Sequence, residues 1–232
     1  LWASTYIVAE KFSIPLIIQG ENPGLTLGAR NTGVGTDSNA LKANELNTIS
    51  DDWRDYLEVE GVKEKDLYFF HYNRSVLEKN NVKAIWLNYF LKDFTNHENA
   101  VFSKLHGLMW RPDDFDQKSI GTYSPYFQLD TDLTQVNQLL KFIKFGFGQC
   151  MDHVCYDFRE DRISRNEAIK LVLELDGKCS SEYIEKFCDY IEISQDEFWD
   201  TIEKFRGDMW TRNSDGEWEN KIHQLLNENI EK

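Results

Sequence analysis

The sequence predicts an α/β chain, with a partial parallel sheet first and an all-helical region after it. Three observations predict this. The run Ile14-Pro15-Leu16-Ile17-Ile18 is apolar and stops at Gly20, which reads as a strand buried on both faces, as in a parallel sheet. A second run, Lys83 to Phe90, has the same character. Beyond about residue 128, apolar residues recur at helical spacing behind capping sequences. The expected division is an α/β part at 1–128 and a helical part at 129–232.

Each element has its own local reason. Leu1 to Phe12 carries Tyr6, Ile7, Ala9 and Phe12 with few breakers, so a helix is expected. The strand Ile14 to Gln19 follows. Residues 22–39 are rich in Gly, Asn, Thr and Ser, without strand or helix period. A loop of that length is usually functional or disordered. It holds no Gly-Lys-Ser/Thr, so it is not a Walker loop. Leu41 to Leu57 is expected to hold a helix, with a further short one starting at Asp51-Asp52-Trp53. Tyr68-Phe69-Phe70 reads as a short strand, Arg74 to Asn80 as a short helix, and Lys83 to Phe90 as the second strand. His97 to Pro125 reads as irregular.

The helical part then follows from stripes and caps. Val136, Leu139, Leu140 and Ile143 form one stripe, ended at Gly146-Phe147-Gly148. Ser164 with Glu167, and Ser194 with Glu197, have the capping-box form. Helices are expected after both, with another over Tyr183 to Ile191 and a last one from about Trp218. The stripes read as core.

Composition excludes several classes. The net charge of −14 disfavours a nucleic-acid face and an anionic membrane surface. No apolar run is long enough for a membrane helix, and no leader of the secretory type is apparent. The four cysteines make no Cys-x-x-Cys pair and read as reduced thiols. Cys150, His153 and Cys155 can be drawn as zinc ligands, but their spacing matches no common structural site. His153 reads as a structural histidine. The chain has no start methionine, and its first helix has no cap, so sequence is expected upstream.

Several segments, in this order, carry a resemblance to a known family. They are Ile14 to Ile18 with Gly20-Glu21-Asn22-Pro23, Asn88 to Phe94, and Lys144 to Gly148. Arg162-Ile163-Ser164-Arg165 with Glu167-Ala168, Asp176 to Cys179, and Glu197-Phe198-Trp199 complete the set. Together they resemble the bacterial N-acetyl sugar amidotransferases that make acetamidino sugars for lipopolysaccharide and for pseudaminic or legionaminic acid. The likeness covers nearly the whole chain. Cys150-Met151-Asp152-His153 departs from the small or basic residues the family has after its Gly-Phe-Gly turn.

The resemblance implies an ATP-pyrophosphatase of the adenine-nucleotide alpha-hydrolase type, of which this is the C-terminal portion. The family's Ser-Gly-Gly-Lys-Asp-Ser phosphate loop is not in these residues. The implied reaction turns an acetamido group into an acetamidino group through an adenylated intermediate, with ATP and Mg²⁺ in the cytoplasm. The implied partners are an N-acetylated sugar or sugar nucleotide, a glutaminase resembling that of histidine biosynthesis, and a barrel-shaped companion.

Candidate site residues follow from that chemistry. Glu21 and Asp93 are expected at strand ends as catalytic carboxylates and magnesium ligands. Gly20, Asn22, Lys144, Arg162 and Arg165 are the candidates for nucleotide and pyrophosphate. The three cations read equally as solvated surface groups. Two other readings stay open here: a non-catalytic docking module, and another ATP-pyrophosphatase such as a tRNA thiolase.

Overall fold

The computed structural model describes residues 2–20, 53–87, 90 and 95–230. It is mixed α/β and mostly helical, with a two-stranded parallel sheet. The chain divides into two compact units, Leu1–Asn99 and Ala100–Lys232.

In the first unit, α1 (Trp2–Phe12) leads into β1 (Leu16–Gln19). Two 3-10 helices follow, Trp53–Glu58 and Glu64–Phe70, then α2 (Arg74–Lys79) and β2 (Lys83–Trp86). The strands pair in parallel, from Leu16 opposite Lys83 to Gln19 opposite Trp86. Tyr6, Ala9, Ile17, Leu77 and Ala84 form the centre of the core. Asn73 starts α2 by accepting from the Val76 amide at 3.4 Å.

Three expectations need correction here. The first strand is not buried on both faces. Ile17 and Gln19 are buried, whereas Leu16 and Ile18 are 45% and 56% exposed. Among the described residues only the face packed with α1 is covered. The second strand ends at Trp86, short of Phe90, which is itself exposed. Tyr68-Phe69-Phe70 lies in a 3-10 helix, not a strand. Asp66 accepts from the Lys63 amide at 3.0 Å, and this local turn outweighs aromatic strand propensity.

Helix α3 (Asn96–Leu105) crosses the division between the units and also corrects the sequence reading, which left it irregular. Thr95 accepts from the Glu98 amide at 3.1 Å, a cap written as Thr-x-x-Glu. The second unit continues with the short α4 (Gln117–Ile120), then α5 (Leu133–Phe145) and α6 (Gln149–Arg159). Next come α7 (Arg165–Leu175), α8 (Ser181–Ile191) and α9 (Gln195–Glu203). Ser164 and Ser194 accept from the Glu167 and Glu197 amides at 3.3 and 3.1 Å, as the capping sequences require.

The second unit is not all helical. β3 (Trp210–Arg212) and β4 (Trp218–Asn220) form an antiparallel ribbon before α10 (Lys221–Ile230). Asn213 closes its turn, accepting from the amides of Asp215 and Glu217 at 3.0 and 2.9 Å. Two cores hold the unit. Val136, Ile143, Ile184, Cys188 and Phe198 join α5, α8 and α9, while Cys150, Val154, Val172 and Leu175 join α6 and α7. No helix among the described residues is long and apolar enough to cross a membrane.

Candidate functional site

Parallel pairing fixes one feature of the first unit. The carboxyl ends of β1 and β2 point the same way and lie side by side, Gln19 opposite Trp86. Gly20 follows directly and is exposed, with nothing among the described residues within 4 Å of where a side chain would start. Glu21, Asn22 and Asp93 lie outside the described residues.

The other candidates belong to the second unit, around the turn between α5 and α6. Gly146 ends α5 with φ of +78°, a conformation glycine adopts without strain. Its carbonyl accepts from the Asn220 side chain at 2.8 Å, and Asn220 also caps α10 through the Ile222 amide at 2.8 Å. One asparagine therefore ties the turn to the last helix.

Helix α6 begins at Gly148, which has no side chain to serve as a cap. The cap comes from Asp176, buried at the end of α7. Its carboxylate accepts from the amides of Gly148, Cys150 and Met151 at 2.8, 3.0 and 3.3 Å. A carboxylate of the protein itself thus occupies this helix N-terminus, where anions are favoured. In the sequence, Asp176 stands out only within the segment Asp176 to Cys179 that contributes to the family resemblance. The available signal was a helix start without a local cap, which demands a remote one.

Burial pushes the Asp176 carboxyl up to about 6, outweighing the three amide donors. An acid whose value is raised in the folded state favours the fold below its unfolded value. That contribution is lost as pH rises from about 4 to about 6, by about 3 kcal/mol. Asp176→Asn resembles the protonated acid. Thermal melts should find it near the parent at pH 4 and relatively more stable at pH 7. An Asn variant that loses more stability at pH 7 than at pH 4 would contradict this sign.

The predicted cations are not brought together. Lys144 is exposed near the end of α5, its ammonium 5.3 Å from the Phe145 ring. Arg162 lies beyond the far end of α6, so about 16 Å of helix separates it from the turn. It pairs with Asp157 and with Glu160, the latter at 2.6 Å. Tyr123 donates to the same Asp157 at 2.7 Å, and burial with this bond pushes its phenol up. Arg165 opens α7 and is exposed.

His153 is buried, 2.6 Å from the Thr122 hydroxyl and stacked at 3.9 Å on Phe127. Burial depresses it to about 3, so it stays neutral near pH 7. This is a satisfied structural histidine. The Cys150 thiol donates to the Leu171 carbonyl at 3.5 Å. Among the described residues no group of three or more His, Cys, Asp or Glu could hold a metal.

A groove of about 570 Å³ opens beside the turn, between α5 and α9. Leu140, Phe145 and Phe205 give it apolar walls, and Asn137, Lys141 and Lys144 its polar groups. The site thus combines a glycine turn, a capped helix start and a mostly apolar groove edged by two lysines. This is a common make-up for small-ligand sites.

No curated protein matches the chain significantly. Residues 120–227 match the family model for the C-terminal domain of WbpG-like LPS biosynthesis proteins. The matched range runs from the end of α4 into α10 and contains the turn, Asp176 and the groove. The match supports a role in surface-glycan biosynthesis. Over residues 120–227 the chain is similar to the WbpG-like C-terminal domain of lipopolysaccharide biosynthesis proteins, in agreement with the family that its sequence segments resemble.

Proposed function

We propose that this chain is the C-terminal part of an ATP-dependent N-acetyl sugar amidotransferase of bacterial surface-glycan biosynthesis, acting in the cytoplasm. The observation that carries the reading is the WbpG-like domain at residues 120–227. The parallel pairing of β1 and β2 supports it, since open α/β sheets keep their ligands beyond the carboxyl ends of their strands. In this reading the pair is part of an adenine-nucleotide alpha-hydrolase-type sheet.

The chemistry sets the roles. An amide oxygen is a poor leaving group. It attacks the α-phosphate of ATP, giving an adenylated imidate and releasing pyrophosphate. Ammonia then adds to the imidate carbon and AMP departs, carrying the former amide oxygen. Positioning and charge stabilisation supply most of the rate. Glu21 and Asp93, beyond the two strands, are the carboxylates suited to hold Mg²⁺. Gly20 and Asn22 would line the nucleotide. Lys144 and Arg165, both exposed, are the cations proposed for released pyrophosphate. Arg162 would have to leave Asp157 and Glu160 to join them.

Nitrogen has to come from elsewhere. The sequence has no nucleophile-elbow motif for a glutaminase. A separate glutaminase, with a barrel-shaped companion to conduct ammonia, is the proposed source. The test uses the full-length protein with ATP, Mg²⁺ and an N-acetylated sugar. Ammonium at raised pH should support amidine formation because the free base is then abundant. Glutamine should do so only with the partners added. Efficient use of glutamine by the protein alone would overturn the partner assignment, and no product with either donor in the partnered enzyme would overturn the reaction.

A further inference from the structure

The groove between α5 and α9 is lined both by core residues and by exposed rings. Ile143 and Ile202 line it at 4% and 7% exposure, and both belong to the core that joins α5, α8 and α9. Phe145 and Phe205 also line it, yet they are 49% and 63% exposed. Exposed apolar side chains scattered singly are ordinary. Two phenyl rings on one concave apolar surface mark an interaction site.

Charge in the groove has one sign. Lys141 and Lys144 are the only charged residues that line it. The whole chain has 40 acidic and 26 basic residues, so a groove without a carboxylate runs against its composition. Lys141 pairs with Asp152 of α6. Lys144 is exposed, and among the described residues its ammonium meets only the Phe145 ring. The surface therefore complements an occupant that is apolar and acidic.

Shape decides the form of that occupant. The lining residues of α5 run from Asn137 to Phe145, which is about 12 Å of helix. Anchors at i, i+4 and i+7 of a partner helix span about 10 Å. Both walls are helices, so no strand edge is offered to an extended peptide. A segment seated here has to satisfy its own backbone groups, as a helix does. A concave surface on a chain of net charge −14 does not suit an anionic membrane.

We propose that the groove docks an acidic amphipathic helix of a partner protein, with its apolar face against Phe145 and Phe205 and its carboxylates toward Lys144 and Lys141. The proposal is independent of the reaction above. With the helix seated, Lys144 meets a carboxylate rather than pyrophosphate.

The probe is a fluorescent synthetic helix of about 16 residues, long enough to hold helical structure. It carries Leu and Phe at i, i+4 and i+7, flanked by glutamates, and its control has glutamines in place of the glutamates. Fluorescence anisotropy with the full chain should show saturable binding of the acidic probe, about tenfold tighter than the control. Phe205→Ser should weaken both probes by about tenfold. Lys144→Glu should weaken the acidic probe by about tenfold and the control by less than about threefold. Both side chains are exposed, so both melting temperatures should stay at the parent value. No saturable binding by the parent, equal affinity for the two probes, or unchanged affinity in both variants would overturn the proposal. So would binding of the full chain to phosphatidylserine vesicles, or its dimerisation in sedimentation, if Phe205→Ser abolished either. Those results would assign the groove to a membrane or to a second copy of the chain.

Discussion

Glu21→Ala in the full-length protein should abolish amidine formation and leave the fold intact. The residue follows Gly20, at the carboxyl end of a strand paired in parallel with β2. A carboxylate there is suited to hold Mg²⁺ on the triphosphate as pyrophosphate leaves. Without it, the α-phosphate keeps its negative screen against the incoming amide oxygen. Removing a group of this kind costs about 10²–10³ in rate or more. The stability cost should stay within about 0.5 kcal/mol. Product formation and a thermal melt, run together, check both halves. Parent-like turnover would remove Glu21 from the site. A large fall in melting temperature would assign it a structural role.

Gly207→Ala should destabilise the helical unit by about 3 kcal/mol. A methyl group at Gly207 would sit 1.9 Å from the Lys144 carbonyl oxygen. Both sides of that contact are backbone, so no flexible side chain can swing away. The Gly207 amide also donates to the Ile143 carbonyl at 3.4 Å, which holds the segment against the end of α5. Relief of the clash must move this segment off α5, and Met209 off Gly146 with it. The groove beside Phe205 would widen. Chemical denaturation of the parent and the variant measures the effect. A loss under about 1 kcal/mol would show that the segment can yield.

The helical unit was legible in the sequence where its signals are local. Ser164 and Ser194 wrote their caps next to the stripes they start. The stripe from Val136 to Ile143 marked the core of α5. Signals that act at a distance were not legible. Helix α6 starts at Gly148 and takes its cap from Asp176, 28 residues away. No local pattern shows that link. The β3–β4 ribbon was missed although Asn213-Ser214-Asp215-Gly216 is a turn sequence, because its strands are only three residues long. The helix at Asn96 was missed although Thr95 and Glu98 announced it. In the first unit the apolar runs gave both strands, but not the exposure of Leu16 and Ile18. That depends on which neighbours cover each face, and a run of apolar letters does not record it.

For the site, residue type was readable and arrangement was not. Arg162 looked like a free cation, because nothing in the letters places it against Asp157 and Glu160.

The account stands on the adenylated intermediate, and one labelling measurement reaches it directly. An N-acetyl sugar carrying ¹⁸O in its acetamido carbonyl is incubated with the full-length protein, ATP, Mg²⁺ and ammonium. Mass spectrometry then reads the nucleotide and phosphate products. The account predicts one ¹⁸O in AMP, in step with amidine, and none in pyrophosphate. ADP with labelled inorganic phosphate, or amidine formed with unlabelled AMP, would contradict it.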